Sequence, residues 1–152
     1  MKPLLKIVAI VLGVAGISIT LLFQAQVTKS QTDYMALLQS LRGTNITKIV
    51  LSDDKGLVLD SITAPVALDA FARAANTVEP YSPNHPEYTR GYFIEMYLAD
   101  GQEHEFGFHT MPSDQTIYVD FVKRTGAWTS YYGNCKSAAL FDWLKKQTPI
   151  SG

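Results

Sequence analysis

The longest hydrophobic stretch covers residues 7–23, IVAIVLGVAGISITLLF, seventeen residues without a charged side chain. At about 1.5 Å per residue it makes a helix of about 25 Å, slightly short of a hydrocarbon core of about 30 Å. Leu4 and Leu5 extend it past Lys6, whose ammonium reaches the headgroups on its long stem, and residues 24–28 add no charge. The pattern predicts a helix that crosses a membrane through residues 4–23. The competing reading is a cleaved signal peptide, because Lys2 and Lys6 form a basic front end. Cleavage after Ala25 would put Phe23 at the third position before the cut, and cleavage after Ala15 would leave a very short apolar core. Both readings stay open, and both export everything from about residue 30 onward. With Lys2 and Lys6 before the span and only Lys29 close behind it, the amino terminus is expected in the cytoplasm.

Beyond the leader the periodicity changes from element to element. Tyr34, Leu37, Leu38 and Leu41 form one helical stripe over residues 30–42, with Ser30 and Asp33 placed as a capping box and Gly43 suited to the position past the helix end. No Gly or Pro lies between Gly16 and Gly43, so one unbroken helix from the membrane into this segment is the alternative. Residues 45–51 and 57–62 read as a hairpin around the turn composition of residues 52–56. Pro65 suits a first helical position, and Val66, Ala70, Phe71 and Ala74 mark an apolar stripe that ends near Asn76. Residues 77–90, TVEPYSPNHPEYTR, carry Pro80, Pro83 and Pro86, which favour an extended loop. Its length exceeds the usual connection in a compact domain and points to function or disorder.

Residues 92–98 and 102–109 form a second hairpin whose register the hydrophobic pattern selects. A two-residue turn at Asp100-Gly101 would pair Ile94 with Gly107 and Met96 with Glu105, mixing apolar and charged side chains on each face. A three-residue loop with Gly101 left-handed pairs Tyr92 with Phe108, Ile94 with Phe106 and Met96 with His104, and gives one coherent apolar face. A strand over residues 116–122 and another over 128–132 come next. The last helix runs over 137–146 after Gly133 and Asn134, with Lys145 and Lys146 in its final turn. The order predicts an α+β fold: an N-terminal transmembrane helix, then a mainly antiparallel sheet with helices packed on one face. Its domains are an anchor or signal segment over 1–29 and an exported α+β domain over 30–152.

Composition narrows the function classes. Three of the thirteen basic residues and none of the fourteen acidic ones precede Ser30, so the exported part carries ten basic against fourteen acidic residues, a formal charge of −4. That balance argues against nucleic acid as a partner. One cysteine, Cys135, permits no internal disulfide, so the domain must be stable through its core, to which seven Phe, eight Tyr and two Trp contribute.

Candidate chemistry is sparse. Glu103, Glu105 and His109 share one face of their strand, with Glu95 opposite Glu105, so this face is a weak candidate for a divalent cation or a raised carboxylate. Cys135, just before a helix amino terminus, would be activated there if a histidine stood beside it, but no thiol-enzyme signature surrounds it and a buried or unreactive cysteine is expected. No Gly-x-Ser-x-Gly elbow and no Gly-rich phosphate loop occurs, and no motif calls for a cofactor. The stronger candidate is a partner-binding surface of Tyr81, His85 and Tyr88 in the proline-rich loop with Trp128, Tyr131 and Tyr132. The sequence thus points to a membrane-anchored, extracytoplasmic binding module that contacts another cell-envelope protein, an inhibitor or immunity-type protein being one form of it. A small envelope enzyme or metal-binding protein using Glu95, Glu103, Glu105 and His109 is the alternative.

Overall fold

A computed structural model describes residues 3–81, 90–111, 115–125 and 128–148. The first element, α1 (Pro3–Ser40), is a single 38-residue helix. The unbroken alternative is therefore the one adopted: Ser30 and Asp33 lie inside the helix and cap nothing. Among the described residues no helix is long and apolar enough to cross a membrane, so the crossing expected of residues 4–23 draws no support from them. The described side chains of this stretch are nonetheless apolar and exposed, Leu12, Ile17, Ile19, Leu21, Leu22 and Phe23 being 59–71% accessible.

After Ser40 the chain turns through a short 3-10 segment (Gly43–Asn45). Gly43 is not a left-handed cap, since the positive-φ glycines are Gly56 and Gly101. It is needed for close approach instead: a Cβ there would lie 2.6 Å from the Cα of Asp69. That contact presses the 3-10 turn onto α2 (Pro65–Ala75).

The strands form one open antiparallel sheet among the described residues. They are β1 (Ile46–Asp53), β2 (Val58–Ile62), β3 (Glu79–Pro80), β4 (Arg90–Leu98), β5 (Glu103–Met111), β6 (Thr116–Thr125) and β7 (Trp128–Ser137), in the order β2-β1-β4-β5-β6-β7-β3. The β4–β5 register is the one the hydrophobic pattern selects: Tyr92 opposes Phe108, Ile94 opposes Phe106, and Met96 opposes His104. Gly101, at φ +86°, supplies the left-handed residue of the connecting loop.

β7 is longer than expected, and its length moves the start of the last helix. Gly133 and Asn134 belong to the strand rather than to a helix entrance, because a bulge lets β7 carry one more residue than β6 between the pairs Asp120–Asn134 and Val122–Tyr131. Ser137 then caps α3 (Ala138–Gln147), its hydroxyl accepting from the Leu140 amide at 3.1 Å.

The helices α1, α2 and α3 all contribute to the core on one face of the sheet. Leu38 and Leu41 of the α1 end, Phe71 of α2 and Leu140 of α3 join Ile49, Ile94, Phe106, Phe108 and Val119 in one buried cluster. Two side-chain bonds tie the end of α1 to the chain beyond α2: Gln39 Nε2 donates to the Val78 carbonyl and Asn76 Nδ2 to the Leu41 carbonyl, each at 3.0 Å. Of the stripe expected on α2, Phe71 and Ala74 are buried and Ala70 packs against the core, with Leu68, Ala72 and Ala75 buried beside them, whereas Val66 is 81% exposed in the first turn.

The contrast between Phe71 and Val66 sets the response to truncation. Phe71→Ala should cost about 3–5 kcal/mol, because the ring is fully buried against Trp143 at 4.9 Å. Val66→Ala should stay within about 0.5 kcal/mol. Urea unfolding of the two variants beside the parent chain checks the contrast.

Candidate functional site

The face of the sheet away from the helices carries the polar positions of β1 and β4 to β7. Alternation along β5 puts Glu103, Glu105 and His109 there, and the register sets Glu95 of β4 opposite Glu105 and Tyr97 opposite Glu103. The expected face therefore forms, but its four members do not converge. His109 is four strand positions from Glu105, about 13 Å along β5. Among the described residues no three His, Cys, Asp or Glu side chains are grouped to hold a metal ion.

The acidic end instead uses local partners. The Tyr97 hydroxyl donates to Glu95 Oε2 at 3.1 Å, and Lys48, opposite Tyr97 on β1, sets its ammonium 5.3 Å from the Tyr97 ring centroid. The bond to Glu95 above all, with desolvation and the charges of Glu95 and Glu103, pushes the Tyr97 phenol above its ordinary value. A neutral phenol that must donate to a carboxylate is a structural partner, with no tendency to ionise beside two negative charges.

His109 has a different neighbour, one that sequence reasoning missed. Its Nε2 stands 2.8 Å from Asp120 Oδ2, the two side chains being 22% and 10% exposed. The β5–β6 register explains the meeting: His109 opposes Tyr118 and Gly107 opposes Asp120, so histidine and aspartate are diagonal neighbours on one face. Asp120 shares its parity with Tyr118 on β6, and pairing β5 with β6 in advance would have found it. Gly91 faces His109 from β4, where a Cβ would come 3.6 Å from Nδ1. A carboxylate at Nε2 fixes the orientation of an imidazole, the arrangement from which a histidine can exchange protons with a bound group.

The aromatic candidates divide. Tyr81 is half-buried, its ring edge-to-face on Tyr118 at 5.6 Å with the Lys136 ammonium 5.3 Å from its centroid. Part of that ring serves packing. Because Pro80 of β3 opposes Cys135 of β7, Tyr81 enters the face beside β7, the strand that bears Trp128, Tyr131 and Tyr132. His85 and Tyr88 lie outside the described residues.

Cys135 is the buried, unreactive residue expected, but it does not stand at a helix entrance. It sits on β7 opposite Val119, on the helix side, and is completely buried. Burial first, and the charge of Asp120 second, push its thiol up to about 12, the reverse of activation at a helix end. His104 points to the helix side as well, and burial, opposed by Asp100, lowers its pKa from the ordinary 6.5.

In comparisons with known proteins, the chain matches no family model, no curated protein and no solved structure.

These environments generate two measurements. Cys135 should resist a disulfide reagent such as Ellman's at pH 8 in the folded chain and react fully after unfolding in guanidinium. For His104 the unfolded chain takes up its proton near pH 6.5, whereas the folded chain resists until a lower pH. Stability should therefore fall as pH drops below about 6.5 and level off beneath the folded value. His104→Phe should flatten that part of the urea midpoint against pH, and an unchanged slope would show that other groups set it.

Proposed function

We propose that this chain is a membrane-anchored binding module whose folded domain stands on the extracytoplasmic side and contacts another protein of the cell envelope. The supporting observation is the continuity of α1. Its described apolar residues point to every side of the helix at about 100° per residue, as they do in a helix that faces lipid all round. The proposal rests on the whole run of residues 7–23, of which the side chains through Val11 lie outside those described. At its other end the same helix buries Met35, Leu38 and Leu41 in the core. Residues 24–33 between the two parts are polar for the most part, and twelve residues of helix from Phe23 to Met35 span about 18 Å. An anchor of this kind holds the domain at a fixed height above the bilayer. Continuity through Ala25 favours retention of the leader, because a peptide bond inside a helix is not in the extended form that a peptidase takes.

For the contact surface we favour the side where Tyr81 of the β3 end meets β7. Tyr81 stands there, β7 carries Trp128, Tyr131 and Tyr132 in its sequence, and His85 and Tyr88 belong to the connection beyond Tyr81; the side chains of these five lie outside those described. An inhibitor or immunity-type protein is one form of this reading. An enzyme on the open sheet face is the second reading, and the His109–Asp120 pair, rather than the Glu95, Glu103 and Glu105 set, is the observation that favours it.

Fusion of alkaline phosphatase and of green fluorescent protein after Gly152, in parallel, tests the placement. The phosphatase should be active and the fluorescent protein dark, and the full-length chain should stay in the membrane pellet after carbonate extraction. The opposite reporter pattern overturns the exported location, and release of a shortened chain overturns the retained anchor.

A further inference from the structure

The two edges of the sheet are treated differently. At one end β3 is two residues long and ends in Pro80, which has no amide to offer. At the other end β2 runs VLDSI, with neither Lys nor Pro, and among the described residues it pairs only with β1. Leu57, Val58 and Leu59 at its start are 64%, 57% and 39% exposed. A bulge at Leu59, where Ser52 opposes Val58 and Leu51 opposes Asp60, and the Asp60 carboxylate, which accepts from the Ser61 amide at 2.7 Å, protect part of the strand and leave Leu57, Val58 and Leu59 accessible.

We propose that β2 is a docking edge for an extended segment of another envelope protein, apolar at alternate positions and bearing Lys or Arg. The unpaired amides and carbonyls of a strand edge are satisfied along their length only by another extended backbone, which sets the class of partner. Charge sets its sign. Within residues 52–62 three aspartates, Asp53, Asp54 and Asp60, stand against one cation, Lys55, and among the described residues no basic side chain forms an ion pair with these three aspartates. Such a rim attracts a basic strand and repels an acidic one.

A second copy fits less well, because two β2 edges paired antiparallel would bring the aspartates of both copies together. That the partner is an envelope protein rests on the anchored reading.

The test uses the full chain in lipid nanodiscs and a capped decapeptide that alternates Val with Lys and Thr. Saturating peptide should slow amide exchange in the fragment covering residues 57–62 by about tenfold or more, and the same peptide with Glu for Lys should not. Leu57→Lys with Val58→Lys should abolish the effect while leaving the melting temperature in place, since both residues are exposed. No protection, equal protection by the acidic peptide, or equal protection in the double variant overturns the proposal. Protection without peptide, with twice the chain mass in detergent, assigns the edge to a second copy and overturns it too. The reporter fusions report separately on the anchor: a cytosolic carboxy terminus with peptide protection intact would remove the anchored reading and leave the strand-docking edge standing.

Discussion

The constraint on which this structure depends is the need to cover one face of a broad, open sheet. Alternation along β1, β4, β5 and β6 places Ile49, Leu51, Ile94, Met96, Phe106, Phe108, Ile117 and Val119 on a single side, all fully buried. Two short helices of 11 and 10 residues, α2 and α3, share that cover with the end of α1. Met35, Leu38 and Leu41 therefore belong to the hydrophobic core as much as any strand residue does. A helix whose tail is required for the core passes its direction to the domain, and whatever holds the other end of α1 also sets the domain's orientation.

How much of this could be read from the residues depended on how local the deciding interaction was. The β4–β5 hairpin was legible to the residue, because a left-handed Gly101 and an alternating pattern on both strands act within a dozen positions and agree. The helix over residues 65–75 was legible in its start, set by Pro65, and in most of its facing direction, since Phe71 and Ala74 are buried and Ala70 packs against the core. Val66 has the right chemistry for a core position, yet it sits in the first turn, before the contacts of Asp69 with Gly43 and of Phe71 with Trp143, and meets solvent. The extent of β7 was hidden for a related reason. Gly133 and Asn134 carry the composition of a turn, and only the lateral demand of β6, met by a bulge, keeps them in the ladder. Cys135 changes with it, from a residue at a helix entrance to one in the core.

The candidate chemistry shows the same division. Parity along β5 was enough to place Glu103, Glu105 and His109 on one face, and the hairpin register was enough to add Glu95. Parity says nothing about distance along the strand, and it does not name the next strand over. His109 finds Asp120 because β6 folds back beside β5 through a connection that periodicity does not specify, and Glu95 accepts from the Tyr97 hydroxyl, over whose ring the Lys48 ammonium sits. A cluster that looks dense when written on one line is thus two separate arrangements in space, a hydrogen-bonded acidic end and an oriented histidine.

The contrast between the sheet edges reaches furthest toward function. Exposed edge strands invite uncontrolled pairing, and short length, proline, charge and bulges are the usual means of preventing it. This chain uses two of them on β3, a two-residue strand with Pro80 that covers β7 only at Cys135 and Lys136. The need for protection is the same at β2, which keeps five residues, an apolar start and a negatively charged surround. If nothing docked there, one inward lysine would remove the hazard at no evident cost to the core, since Val58 and Leu59 contribute little to it. An edge that keeps an apolar start and a negatively charged surround is most simply understood as a surface retained for a strand that comes from outside, with the aspartates limiting which strands are accepted.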